Sequence, residues 1–208
     1  MRIAILLILT SLTLMAKGYQ PFLSFSASKS ALVKIYSQHK VLPLSGLSYH
    51  FSEKSCSSDG YVDMAGKEPE MIHWRQLIPE SLMGEGMKCM TQRVCKSTLS
   101  DRYYSGAGCC RKISIKFKKM STDLHNIIPT VLQGSQEYLI QTKNIKDKGN
   151  IARIYLYMID RYNLKVEDSL RDLCLTWHHQ YPVSPWEKEK NRKIFKLQGT
   201  FNPYIEKL

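Results

Sequence analysis

Residues 120–130 read Met-Ser-Thr-Asp-Leu-His-Asn-Ile-Ile-Pro-Thr, polar in front, apolar behind and stopped by Pro129. Ser121, Thr122 and Asp123 are all helix-capping types, because their side-chain oxygens accept the free backbone N–H groups of a first turn. The stretch is therefore expected to open a short helix. His125 and Asn126 would lie in its first turn, near the positive end of the helix dipole. Two readings stand at this point. An imidazole and a carboxamide displayed together suit a metal–phosphate site. The same residues also make a capped turn around a buried histidine.

Downstream of this stretch the pattern turns strongly helical. Ile151, Ile154, Tyr155, Met158 and Tyr162 form one apolar stripe, and Val166, Leu170, Leu173, Cys174, Trp177 and Tyr181 form a second. Ser184-Pro185-Trp186-Glu187 is a capping box with proline at the first helical position, opening a helix that runs to about Leu197 and ends at Gly199. These stripes are read as core. Upstream, residues 24–39 form an amphipathic helix with Ser26 as its cap. Residues 61–64 and 71–78 read as short strands. Residues 81–100 carry Gly, Lys and Cys and read as a stapled loop, and residues 103–110 as a Gly-rich turn. Ile113, Ile115 and Phe117 alternate with Ser114, Lys116 and Lys118, which predicts a further strand.

The totals narrow the class. The chain has 208 residues, 43% of them hydrophobic, enough for one domain. Arg2 followed by the uncharged run 3–15, with Ala16 and Gly18 behind it, reads as a secretory signal peptide over residues 1–18. Residues 19–208 then form a single domain, exported to the periplasm or the medium, without a membrane span and expected to be monomeric. The formal net charge is +12, which favours polyanionic partners. Six cysteines in an exported chain point to disulfides, with fifteen possible pairings. Adjacent Cys109 and Cys110 should bond to different partners, since bridging neighbours strains the peptide. Zinc is the rival use, but no paired C-x-x-C knuckles occur.

Several motifs in order carry a resemblance. Ile-Ala-Arg-Ile-Tyr-Leu-Tyr-Met from residue 151, Tyr-Pro-Val-Ser-Pro-Trp-Glu from 181 and Gln-Gly-Thr-Phe-Asn-Pro-Tyr from 198 are similar to the C-terminal part of the bacterial endonuclease I family. Asp123-Leu124-His125-Asn126…Pro129 resembles the family's central motif, residues 24–35 its first helix, and Trp74…Pro79…Cys89 its strand, turn and cysteine. The resemblance implies an α+β fold, mostly helical with short strands, around a ββα-metal (His-Me finger) centre. It implies an exported, largely sequence-independent DNA/RNA nuclease. In such a centre a glutamate and an asparagine hold magnesium or calcium. A histidine acts as base on water while the metal stabilises charge on the phosphate.

Carried over residue by residue, Asn126 falls on the metal ligand. The Glu-His pair falls on Arg75 and Gln76, and neither can take over the inherited role. A guanidinium is permanently charged and does not ligate cations, and a carboxamide has no basic nitrogen near neutral pH. The family's Gly-Glu…Asn-Gly-Asp-Arg segment is replaced by residues 132–137, Leu-Gln-Gly-Ser-Gln-Glu. His73, two residues before Arg75 and on the same strand face, and His125 are candidate replacement bases. Lys116, Lys118, Lys119 and Arg153 are candidate contacts to a nucleic-acid backbone. The expectation is thus an endonuclease I-family protein that hydrolyses nucleic acid with Mg or Ca. The alternative is an inactive nucleic-acid-binding or interaction protein on the same fold, needing no cofactor.

Overall fold

The computed structural model describes residues 20–43, 48–51, 60–62, 70–91, 95–96, 102–131 and 147–206. The expected signal peptide over residues 1–18, Cys56 and the segment 132–137 lie outside the described residues. The architecture is α+β. Helix α1 (Phe25–Tyr36) is followed by a three-stranded antiparallel sheet, β1 (His50–Phe51), β2 (Gly60–Val62) and β3 (Glu70–Met71). Strand β4 (His73–Gln76) leads into two single-turn helices, α2 (Glu80–Met83) and α3 (Lys88–Thr91), then β5 (Cys95–Lys96) and β6 (Tyr103–Tyr104). Helices α4 (Gly106–Ile113) and α5 (Ile115–Ser121) precede β7 (Ile127–Thr130). Three long helices, α6 (Lys148–Tyr162), α7 (Asp168–Gln180) and α8 (Pro185–Gln198), complete the order. No helix among the described residues is long and apolar enough to cross a membrane.

The long helices form where the periodicity places them. Ser184 Oγ accepts from Glu187 N while the Glu187 carboxylate accepts from Ser184 N, and Gly199 closes α8 in the left-handed region at φ 74°. Helix α6 buries residues on every side, so it is the central helix rather than one with a single apolar stripe. Helix α1 starts one turn's edge earlier than expected. Ser24, not Ser26, caps it, its Oγ accepting from Ala27 N at 3.2 Å.

Two expectations fail around residues 105–130. The strand over 113–117 is instead the junction of α4 and α5. Ser114 ends one helix and caps the next, its Oγ accepting from Phe117 N. Phe117 and Met120, three apart on one helical face, are fully buried, whereas Ile113 and Ile115 are exposed. The apparent alternation was a helix read at the wrong period. The second failure is the short helix expected to open at residues 121–123. Ser121 instead ends α5, residues 122–126 turn, and the chain continues extended as β7. Asp123 Oδ1 accepts from His125 N two residues on, closing a tight turn instead of capping a helix.

Strands β4 and β7 form an antiparallel ribbon with His73 opposite Thr130, Trp74 opposite Pro129, Arg75 opposite Ile128 and Gln76 opposite Ile127. The ribbon divides two cores. Ile128 belongs to the larger one, built on α6 with Leu77, Phe117, Met120 and the cysteines of α4. Trp74 and Ile127 belong to a smaller one with Leu32, Ile35 and Tyr36 of α1 and Ile194 of α8.

Two disulfides pin the stapled segment, Cys89–Cys110 and Cys95–Cys109, so the adjacent cysteines do take different partners. The described residues of 81–100 are not plain loop but carry most of α2, with α3 and β5, and the Gly-rich turn becomes β6 and the start of α4, entered through Gly106 at φ 51°. Cys174 is a buried free thiol. Replacing Cys89 and Cys110 together by serine should lower unfolding free energy by about 2–4 kcal/mol, the loop-closure effect of a bond spanning 21 residues, measured by urea denaturation.

Candidate functional site

The strand alternation of β4 sorts its side chains. Trp74 and Gln76 are buried on one face, His73 and Arg75 half-buried on the other. Gln76 Nε2 donates to Ser121 O at 2.8 Å. Just beyond the strand, Leu77 N donates to Asn126 O at 2.7 Å and Ile78 N to Asn126 Oδ1 at 2.8 Å, while Asn126 Nδ2 donates to Met120 O at 3.2 Å. The structure therefore ties the end of β4 to the turn through Gln76 at Ser121 and through Asn126 at Leu77 and Ile78. Asn126 is wholly buried, however, and its carboxamide is engaged as a clamp between the turn and the exit of β4.

A buried carboxylate fixes that turn from behind. Asp123 Oδ1 accepts from His125 N at 2.9 Å and from Gln198 Nε2 at 3.0 Å. Its Oδ2 accepts from the hydroxyls of Tyr157 at 2.9 Å and Tyr162 at 2.7 Å. Gln198 Oε1 accepts from Leu124 N, and Gln198 Nε2 also reaches Thr200 Oγ1. Sequence reasoning assigned Asp123 to a cap, put Tyr162 in an apolar core stripe and gave Gln198, Thr200 and Tyr157 no part in the turn. Their signal was the joint presence of Asp123-Leu124-His125-Asn126 and the Gln198-Gly199-Thr200 segment.

Two of the candidate residues, His125 and Arg153, lie in the interior. His125 is buried against Tyr157, with ring centroids 4.5 Å apart, and its Nε2 stands 3.4 Å from Thr200 O. Burial pushes its pKa down to about 4 despite the nearby Asp123 carboxylate. Arg153 is engaged within the protein. It is buried in α6, where Nε and Nη2 bind the Glu187 carboxylate at 2.7 and 2.9 Å and Nη1 donates to Tyr181 O at 2.8 Å. A bidentate guanidinium–carboxylate pair of this kind holds helices together. Of the rest, His73 is half-buried on the Arg75 face, Lys116 and Lys118 are exposed, and Lys119 is partly exposed. Lys116 and Lys119 share one cleft.

The residues around the turn do not fit a divalent cation. Hard cations take several carboxylate or carbonyl oxygens. Among the described residues no group of three His, Cys, Asp or Glu could hold a metal ion. Glu80, the carboxylate following Pro79, is paired with Arg111. Arg75 brings a fixed positive charge, and its buried Nε finds no hydrogen-bond acceptor among the described residues. An orphaned donor on a guanidinium calls for an anion.

The family model for Endonuclease I matches residues 144–208, which span α6 to the C-terminal motif. A periplasmic deoxyribonuclease of Aeromonas hydrophila is 30% identical, the alignment covering 97% of this chain and 92% of the relative. The chain belongs to the endonuclease I family. An extracellular deoxyribonuclease of the same organism is 31% identical over 88% of each chain. Endonuclease-1 of Buchnera aphidicola subsp. Baizongia pistaciae is 28% identical over 64% of this chain and 61% of its own. The two Aeromonas relatives are named as periplasmic and extracellular, and the two disulfides suit the same oxidising compartments, so this endonuclease I-family protein is an exported one. The segment matched by the family model contains Arg153, Glu187, Gln198 and Thr200. Arg75, Gln76 and Asn126 lie outside it.

The buried imidazole makes stability depend on pH in a definite direction. His125 has its folded pKa lowered from 6.5 to about 4, so protonation favours the unfolded chain. Its contribution is complete above about pH 6.5 and is lost as pH falls toward 4. The loss reaches roughly 3 kcal/mol at 1.36 kcal/mol per pKa unit. Urea melts at pH 7 and pH 4 should therefore show a wild-type stability loss larger by about that amount than the loss in His125→Gln.

Proposed function

We propose that this exported endonuclease I-family protein binds nucleic acid along its sugar–phosphate backbone and does not hydrolyse it by the pair-and-metal route that the family resemblance implies. The observation that carries the reading is the pairing on β4 of a half-buried guanidinium, Arg75, with an amide, Gln76, already tied to Ser121 O. A guanidinium presents paired N–H donors that match two phosphate oxygens. The amide cannot take a proton from water near neutral pH. A general base alone contributes about 10²–10⁴ in rate, and charge stabilisation at the phosphate a further large factor. Both functions are substituted at these two positions. The substrate class is taken from the relatives, which are named as deoxyribonucleases. The net charge of +12 favours the same polyanion.

A second reading, hydrolysis at a rebuilt centre, draws on His73. This imidazole is half-buried on the Arg75 face of β4, opposite Thr130.

A plasmid-nicking assay with added magnesium or calcium, run beside a mobility-shift assay on the same DNA, separates the two. Supercoiled plasmid should stay intact while the shift is strong at low salt and fades at high salt. Arg75→Gln should weaken the shift by about 10- to 100-fold, the worth of a charge-assisted bond, without changing the thermal midpoint. Nicking that a chelator abolishes and that His73→Ala removes would overturn the binding reading and establish the second.

A further inference from the structure

One cleft gathers cations away from β4. Lys116 and Lys119 of α5 face Arg161, Tyr162 and Asn163 at the end of α6, with Ile115 at the rim, around a volume of about 520 Å³. Lys116 and Lys119 are three apart on one helix and so project from the same face. Among the described residues no Asp or Glu lines the cleft. Of the acids on α6 and the turn beside it, Asp123 is fully buried under its four donors, and Asp160 pairs with Arg171.

The walls of the cleft are held at a fixed separation. Tyr162 donates its hydroxyl to Asp123 Oδ2, and Arg161 lies over the rings of Tyr157 and Tyr162 at 5.9 and 5.7 Å. Helix α6 closes beside it through Asn163, whose N–H caps Ile159 O, while Leu164 N reaches the same oxygen. The last turn of α5 carries Lys119 and also Ser121, whose carbonyl holds Gln76. The cleft and strand β4 are thus joined through a single helical turn.

We propose that this cleft seats a phosphate of the nucleic-acid backbone, as a contact point separate from Arg75. The proposal rests on the nucleic-acid reading above and adds a place and a geometry to it. Three cations around a concavity suit a phosphodiester that projects from a polymer and can enter between two walls. Exposed Ile115 at the rim offers apolar surface to the adjoining sugar. Arg161 supplies a planar fork that matches two phosphate oxygens, and the lysines supply charge.

The test uses the full secreted chain and a fluorescein-labelled 20-base-pair duplex, read by anisotropy across a potassium chloride series. Lys116 is exposed, so Lys116→Glu leaves the core untouched. Lys196→Glu, equally exposed on α8, is the control for net charge. Thermal midpoints of both variants should match wild type. Lys116→Glu should weaken binding about tenfold and reduce the slope of log affinity against log salt by about 1, with Lys196→Glu changing affinity less than about twofold. Equal losses in the two variants, or an unchanged slope, would overturn the cleft. If Lys116→Glu binds as wild type while Arg75→Gln does not, the cleft is overturned and the nucleic-acid reading stands. If wild type binds no duplex even at low salt, both fall. Vesicles containing phosphatidylglycerol form the last arm: binding to them that Lys116→Glu abolishes, with duplex binding intact, would give the cleft to lipid headgroups and overturn the proposal.

Discussion

Four donors converge on the Asp123 carboxylate in the interior, and each comes from a different place in the chain or a different turn of it. A buried carboxylate left short of partners is costly, so the arrangement is close to all-or-none. His125 N belongs to the turn itself, Tyr157 and Tyr162 to α6, and Gln198 to the last residue of α8. One side chain therefore sets the mutual position of three elements. The turn passes that order forward, because Ser121 O and both oxygens of Asn126 take hydrogen bonds from the residues at the end of β4. The ribbon, the cleft and both cores are placed through this turn.

Much of the C-terminal half was legible because its determinants are local. The capping box at Ser184 and the stop at Gly199 are decided by residues within one helical turn, and the α6 and α7 stripes repeat at the helical period. The region around residues 113–130 was not legible for the opposite reason. An apolar residue at every second position fits a strand, and only the burial of Phe117 and Met120 together shows that the true period is longer. Asp123 looked like a cap because its partners, Tyr157, Tyr162 and Gln198, are 34, 39 and 75 residues away.

The candidate site shows the same division. That Arg75 and Gln76 can be neither general base nor metal ligand was readable from residue types, since chemistry is a property of the side chain. The engagement of Asn126 with Ile78 N and Met120 O was not, because a carboxamide serves equally as ligand or clamp. Arg153 misled for a related reason: a lone arginine on a helix reads as surface until Glu187, 34 residues on, is seen beside it. The residues of the C-terminal motifs, by contrast, act in this chain as fasteners: Arg153 on Glu187, and Gln198 on Asp123 and Thr200.

The fastening of the turn by Gln198 and Thr200 also sets an order of events. Asn202 adds to it, its Nδ2 donating to Arg153 O and its backbone N–H to Asn191 Oδ1. Until residues 198–202 are in hand, Asp123 lacks one donor, Leu124 N lacks its acceptor and α6 lacks the brace at Arg153 O. A nascent chain ending short of them cannot close the turn, and contacts this distant in sequence form late in any case. An exported protein has to cross its membrane through a narrow channel, for which a premature globule is an obstacle. A turn that closes only once residues 198–202 have joined it suits a polypeptide that must stay threadable until it reaches the far side, where its two disulfides can form.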